Sequence, residues 1–173
     1  MINDSQTDKV YLAEGLIYHY EEVFRNLLSI LDRGHLACLP YTKSYKHVWA
    51  RDYMPIQLDK DRFLLYDYNP DYLRGYPDYV PRYKSITNKL NLDCISTDIV
   101  LDGGNVVKCG GKVIMTNKIF KENPKYGQRE LLAKLEELLD VQVVLITWDK
   151  YEMYGHADGM VRYISGNSVL LNN

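Results

Sequence analysis

Three aspartates and one histidine carry the chemistry this sequence offers. Asp52 ends the stretch WARD, Asp102 opens DGGN, and Asp158 closes GHAD, which also holds His156. Taken singly each reads as structure. Asp52 beside Arg51 has the look of a surface ion pair worth little, Asp102-Gly103-Gly104 and Asp158-Gly159 read as turns, and a lone histidine is more often a hydrogen-bonded structural residue. Spacing is what joins them. Asp102-Gly103 aligns without gaps on Asp158-Gly159 at a shift of 56 positions, and Gly110 then falls on Gly166, Val113 on Val169 and Asn117 on Asn173. A shift of 50 places Asp52 under Asp102, Phe63-Leu64-Leu65 under Val113-Ile114-Met115, and Asp67 under Asn117. Self-similarity at a period of about 50 residues is the mark of a propeller or array whose units bury their apolar faces against neighbours. With units arranged radially, three equivalent aspartates converge on one axis. Read as an extended strand, residues 156 and 158 point to one face, so His156 joins that acidic centre. One imidazole among three carboxylates suits a cationic substrate or a divalent metal, although calcium or magnesium would prefer more oxygens.

The elements that must position these groups follow the same repeat. Residues 14–32 show apolar positions at Ile17, Tyr20, Phe24, Leu27, Leu28 and Leu31, the stripe of one amphipathic helix, with Gly34 as its C-cap. A short strand from His35 to Leu39, closed by Pro40, and a second from Phe63 to Tyr66 complete the first unit. Residues 66–83 hold six tyrosines and three prolines and read as a loop whose rings pack over a rim, with a substrate-contacting lid as the alternative. Residues 82–92 read as a short helix, and 94–96 and 99–101 as strands leading to Asp102. Residues 105–109 and 112–116 flank Gly110-Gly111 as a hairpin. Residues 127–139, with leucines at 131, 132, 135, 138 and 139, form a second amphipathic helix. The β-branched run 141–146 reads as a strand buried on both sides, and a hairpin around Ser165-Gly166-Asn167 closes the third unit. Units of roughly 9–67, 68–117 and 118–173 result, within one domain. Three units leave open edges, to be covered by a further stretch of chain or by a second copy in a homo-oligomer.

Composition excludes several classes. With 46% hydrophobic and 25% charged residues the chain is an ordinary globular one. The start has neither a basic n-region nor an apolar h-region and no apolar run approaches 18 residues, which argues against secretion and membrane spanning and makes the cytoplasm the expected location. A net charge of -2 without a basic run gives no reason to expect nucleic acid. Cys38, Cys94 and Cys109 are too widely spaced for a cysteine zinc site or a disulfide framework.

Together, WARDYMP (49–55), LDGGN (101–105) and GHAD (155–158), in that order, resemble the agmatine deiminase and bacterial peptidylarginine deiminase family of guanidine-modifying enzymes. The resemblance implies a pentein fold, an α/β propeller of five units, of which about three are present. It implies that Asp52 and Asp158 grip a substrate guanidinium, that Trp49 forms a wall of the pocket, that His156 is the general acid and base, and that Asp102 holds the imidazole or shares the guanidinium. Many members have glutamate at the Asp102 position, one methylene longer, and glycine where Met54 stands. The nucleophile of the family is a cysteine in the last unit, which would lie beyond Asn173. Cys109 is a poor substitute, since seven residues of strand carry it roughly 23 Å from Asp102, and Cys38 and Cys94 have no pocket motif beside them. The implied partner is a small guanidinium compound; no metal or organic cofactor is called for. A pseudoenzyme or fragment that binds a guanidinium or an amine without turnover is the alternative.

Overall fold

The computed structural model describes residues 1–13, 15–31, 36–39 and 47–172. Among the described residues, a mixed α/β architecture places four small sheets in succession along the chain. β1 (Val10–Ala13) and β2 (Leu36–Leu39) run parallel, with α1 (Gly15–His19) and α2 (Glu21–Ile30) between them in sequence. A single turn, α3 (Ala50–Tyr53), leads into the antiparallel pair β3 (Ile56–Gln57) and β4 (Arg62–Asp67); α4 (Tyr83–Lys89) then returns the chain to β5 (Asp93–Val100), parallel to β4. The same plan recurs. β6 (Val107–Cys109) and β7 (Lys112–Thr116) form a hairpin, α5 (Lys118–Glu122) and α6 (Gln128–Leu139) follow, and β8 (Gln142–Ile146) pairs parallel to β7. The hairpin of β9 (Val161–Ser165) and β10 (Ser168–Leu171) comes last.

Each aspartate of the repeat stands just ahead of a hairpin. Asp52 is in α3 before β3, Asp102 caps the 3-10 turn Gly103–Asn105 before β6, and Asp158 lies in the turn before β9. Gly110 and Gly166 take the same left-handed conformation at their hairpin tips, with φ of 51° and 54°, which is the conformation a two-residue connection demands. Position 67 ends β4 and position 117 follows β7, and each three-stranded sheet takes its third strand, β5 or β8, from beyond the next helical segment.

Several expectations need correction. Residues 14–32 are not one helix: α1 and α2 are separated at Tyr20, whose φ of -146° and ψ of 52° leave the helical region, and its ring is exposed instead of joining the buried stripe around Phe24. His35, Gly34 and Pro40 lie outside the described residues. The two short strands expected before Asp102 are the single strand β5, whose pairing with β4 shifts register between Leu65 and Asp67. β6 begins at Val107 because the preceding residues are spent on the 3-10 turn. β8 is half-buried rather than buried on both faces, because it ends its sheet and no strand among the described residues lies beyond it. Residues 156–158 are irregular turn, not strand, so the shared facing of His156 and Asp158 comes from tertiary contacts rather than from strand alternation.

The main core gathers Leu64 of β4, Ile99 of β5, Val113 and Met115 of β7, Ile119 of α5, and Leu131, Leu135 and Leu139 of α6, all fully buried. At about 25 cal/mol per Å² of apolar surface removed from water, this packing is what holds the hairpins together. Leu138 packs at its edge, and both Leu138 and Leu132 are half-buried. Val169, the repeat partner of the fully buried Val113, is 39% exposed. Among the described residues no helix is long and apolar enough to cross a membrane.

Candidate active site

The turns that carry the repeat aspartates touch one another. Asp158 N–H donates to Gly104 O at 3.0 Å, Arg51 Nη2 donates to Val106 O at 3.0 Å, and Tyr66 Oη donates to Asp52 O at 2.6 Å and Met54 O at 2.9 Å. Glycine permits this approach. A methyl group on Gly104 would run into the His156 imidazole, and one on Gly103 into the Arg51 carbonyl, so the GlyGly of the DGGN stretch serves close packing of backbone against site residues.

The result brings Asp52, Asp102 and His156 within reach of one another, with Asp158 beside them. His156 Nε2 lies 2.8 Å from Asp102 Oδ2 and Nδ1 lies 4.0 Å from Asp52 Oδ1. The first contact is short but poorly aligned for a hydrogen bond. Asp102 is 2% exposed; its Oδ1 accepts from Gly104 N–H at 3.3 Å and its Oδ2 accepts from Tyr72 Oη at 2.5 Å. Asp158 Oδ2 is paired with Arg51 Nε at 3.2 Å, and Arg51 Nη1 reaches Asp4 at 3.5 Å. Arg51 therefore does not pair with its neighbour Asp52, as the isolated sequence suggests, but braces Asp158 from behind.

These groups face an open cavity of about 720 Å³, lined by Asp52, His156, Asp158 and Arg51 together with aromatic side chains. Trp49 is 70% exposed at its margin. Asp102 does not line it and lies beneath the others. In the tyrosine-rich stretch, Tyr66 and Tyr68 are buried in the core rather than over a rim, whereas Tyr72 and Tyr79 line the cavity. His19, Tyr20, His47 and Tyr154 also line it. Sequence reasoning passed over all four, and His47 had the only usable signal, two residues ahead of WARD. Cys94, on β5, and Cys109, at the end of β6, do not line the cavity; the side chain of Cys38 lies outside the described residues.

Crowding of charge tunes the site. Burial first, then the neighbouring Asp102 carboxylate, pushes Asp52 up from 3.8 to about 7, with His156 working the other way. Burial likewise raises Asp158, against the pull of Arg51 and His156. For His156 burial disfavours the cation, but Asp102, Asp52 and Asp158 outweigh it and the net shift is upward. His47 goes the opposite way, down to about 4, because burial dominates; its Nδ1 accepts from Trp49 N–H at 3.2 Å and its Nε2 meets Tyr68 Oη at 2.8 Å. Burial and the Asp102 charge raise Tyr72, which keeps its phenol protonated and a donor. A group of carboxylates that resist ionising together, beside an imidazole inclined to hold a proton, is ready to accept a positive charge from outside. Asp52, Asp102 and His156 each offer a donor atom within 4.8 Å of the others, a spacing that a small cation could bridge, though Asp102 Oδ2 is already shared between Tyr72 and His156.

A sequence profile of the Porphyromonas-type peptidyl-arginine deiminase family matches residues 10–173. The chain belongs to that family. No curated protein matches the sequence. Among solved structures, a candidate peptidyl-arginine deiminase is similar at a TM-score of 0.73 and 16% identity, over 99% of this chain and 64% of that one. Agmatine deiminase of Enterococcus faecalis is similar at a TM-score of 0.62 and 24% identity, over 86% and 45%. The C. jejuni agmatine deiminase is similar at 0.64 and 15%, over 94% and 61%. The chain thus shares their fold and spans about half to two-thirds of their length.

Proposed function

We propose that this chain supplies the guanidinium-binding and proton-transfer part of an agmatine deiminase-like amidine hydrolase, built as about three of the five units of a pentein-type propeller. The observation that carries the reading is the grouping of Asp52, Asp158 and His156 around one open cavity, with Asp102 buried behind the imidazole. A guanidinium is planar and offers parallel N–H donors that match a carboxylate bidentately. Asp52 and Asp158 fix its plane, Trp49 bounds it, and the central carbon is left open to attack from above or below.

In the reaction a cysteine thiolate adds to the guanidinium carbon, forming a C–S bond and a tetrahedral centre. The C–N bond then breaks as His156 hands its proton to departing ammonia. The same histidine takes a proton from water, which adds to the thiouronium carbon; the C–S bond breaks and a ureido group leaves. Asp102 steadies the imidazolium between the two steps. In this reading the nucleophile comes from outside this chain: Cys94 and Cys109 do not line the cavity, and no pocket motif stands beside Cys38 in the sequence. The full-length protein is expected to release ammonia from agmatine or an arginine derivative. A protein carrying the whole fold that releases none from agmatine, arginine or peptidyl-arginine would refute the activity and leave guanidinium binding without turnover.

A further inference from the structure

We infer that Tyr72 is a positioning residue for this site, holding the Asp102 carboxylate through Oδ2 and so limiting how much of its charge reaches His156, and that the buried Lys118 seats Tyr72. The inference rests on the reading of His156 as the proton-transfer group.

Asp102 Oδ2 has two claimants, Tyr72 Oη at 2.5 Å and His156 Nε2 at 2.8 Å. The phenol makes the directed hydrogen bond, and the imidazole nitrogen is left close but misaligned. With Oδ1 held by Gly104 N–H, the carboxylate is fixed at both ends, and the phenol sets how much of its charge the imidazole feels.

Tyr72 itself belongs to a 3-10 turn, Asp71–Leu73, inside an irregular loop. What holds the turn is a cation that sequence alone would place on the surface. Lys118 is 2% exposed, with Nζ 3.1 Å from Asp71 Oδ1, 3.0 Å from Glu122 Oε1, and donating to Tyr154 O at 2.7 Å. The same ammonium stands 4.9 Å from the centre of the Tyr72 ring, a cation–π distance. Tyr154 meets Tyr72 edge-on at 5.0 Å, and Tyr72 stands 6.0 Å from the His156 ring. One buried cation therefore ties the turn bearing Tyr72 to the backbone of the loop bearing Tyr154 and His156.

The test follows ring titrations by nuclear magnetic resonance of labelled histidines in the full-length protein, without ligand. The groups facing His156 are His47, Asp52, Asp102, Asp158, Tyr72 and Tyr154. Tyr72→Phe keeps the ring and removes only the donor, so Asp102 turns more of its charge to the imidazole. His156 should then titrate higher by about half a unit to one unit, the size of one hydrogen bond. Lys118→Met should produce the same displacement, and the double variant no more than either alone. If Lys118→Met does not fold, Asp71→Asn carries the same comparison. An unchanged His156 titration in Tyr72→Phe would reduce Tyr72 to packing and overturn the inference; additive shifts would show that Lys118 does not act through it. Agmatine affinity, measured separately at fixed pH, tells failure of this inference from failure of the guanidinium reading.

Discussion

In the proposed function Asp52 is the residue on which most of the chemistry turns, because a bound cation would restore its charge. Buried beside Asp102 and raised to about 7, it is only partly ionised at neutral pH, and a guanidinium in the cavity would draw out the remaining proton. Agmatine affinity should therefore rise as pH is raised through about 7, a trend that calorimetry at several pH values would reveal. Gly104→Ala tests close packing instead of charge. A methyl group there must displace the His156 ring, and overpacking of this kind costs about 1–3 kcal/mol, to be read as a lowered denaturant midpoint together with a moved His156 resonance. At this scale the sequence was informative about the four charged residues, since their repeat spacing showed in one dimension. It was silent on Tyr72, which is one of six tyrosines in its loop, and on Lys118, since lysine is ordinarily a surface residue.

Among the elements, β5 has the task of delivering Asp102. Its end is tied by Asn123, which is buried: its Oδ1 accepts from Val100 N–H at 2.8 Å, and its Nδ2 donates to Val100 O at 2.8 Å and to Ile119 O at 2.9 Å. Asn123→Ala leaves backbone groups of Val100 unsatisfied at the strand end, a loss of about 1–3 kcal/mol. Chemical denaturation would measure it, with faster amide exchange at Val100 and Leu101 as the local sign. The hairpins at Gly110-Gly111 and Gly166-Asn167 and the helix α6 were legible in the sequence because glycine turns and leucine spacing are local signals, whereas the pairing of β3 with β4 was not. The break at Tyr20 and the half-exposure of β8 were not. Both depend on what packs alongside, and periodicity carries no information about that.

For the whole molecule, the consequence of gathering like charges is a stability that depends on pH. Asp52 and His156 both have folded-state values above their ordinary ones, so the stability each contributes is fully present below its ordinary value and is lost as pH rises through the raised one. His47, lowered to about 4, has the opposite sign: its contribution is present above 6.5 and lost as pH falls. The two trends oppose each other in the acid range, and above about 6.5 only the loss remains. The unliganded protein should become easier to denature from pH 6.5 to 8, and Asp52→Asn should flatten that slope. Convergence of Asp52, Asp158 and His156 to clasp a flat cation is put to the test by titrating agmatine into the full-length protein and its Asp52→Asn variant, with 1,4-diaminobutane as the control lacking the guanidinium. Agmatine should bind, the diamine at least tenfold more weakly, and the substitution should cost at least tenfold in agmatine affinity; equal affinity for the two compounds, or an unchanged affinity in the variant, would rule out guanidinium recognition by Asp52.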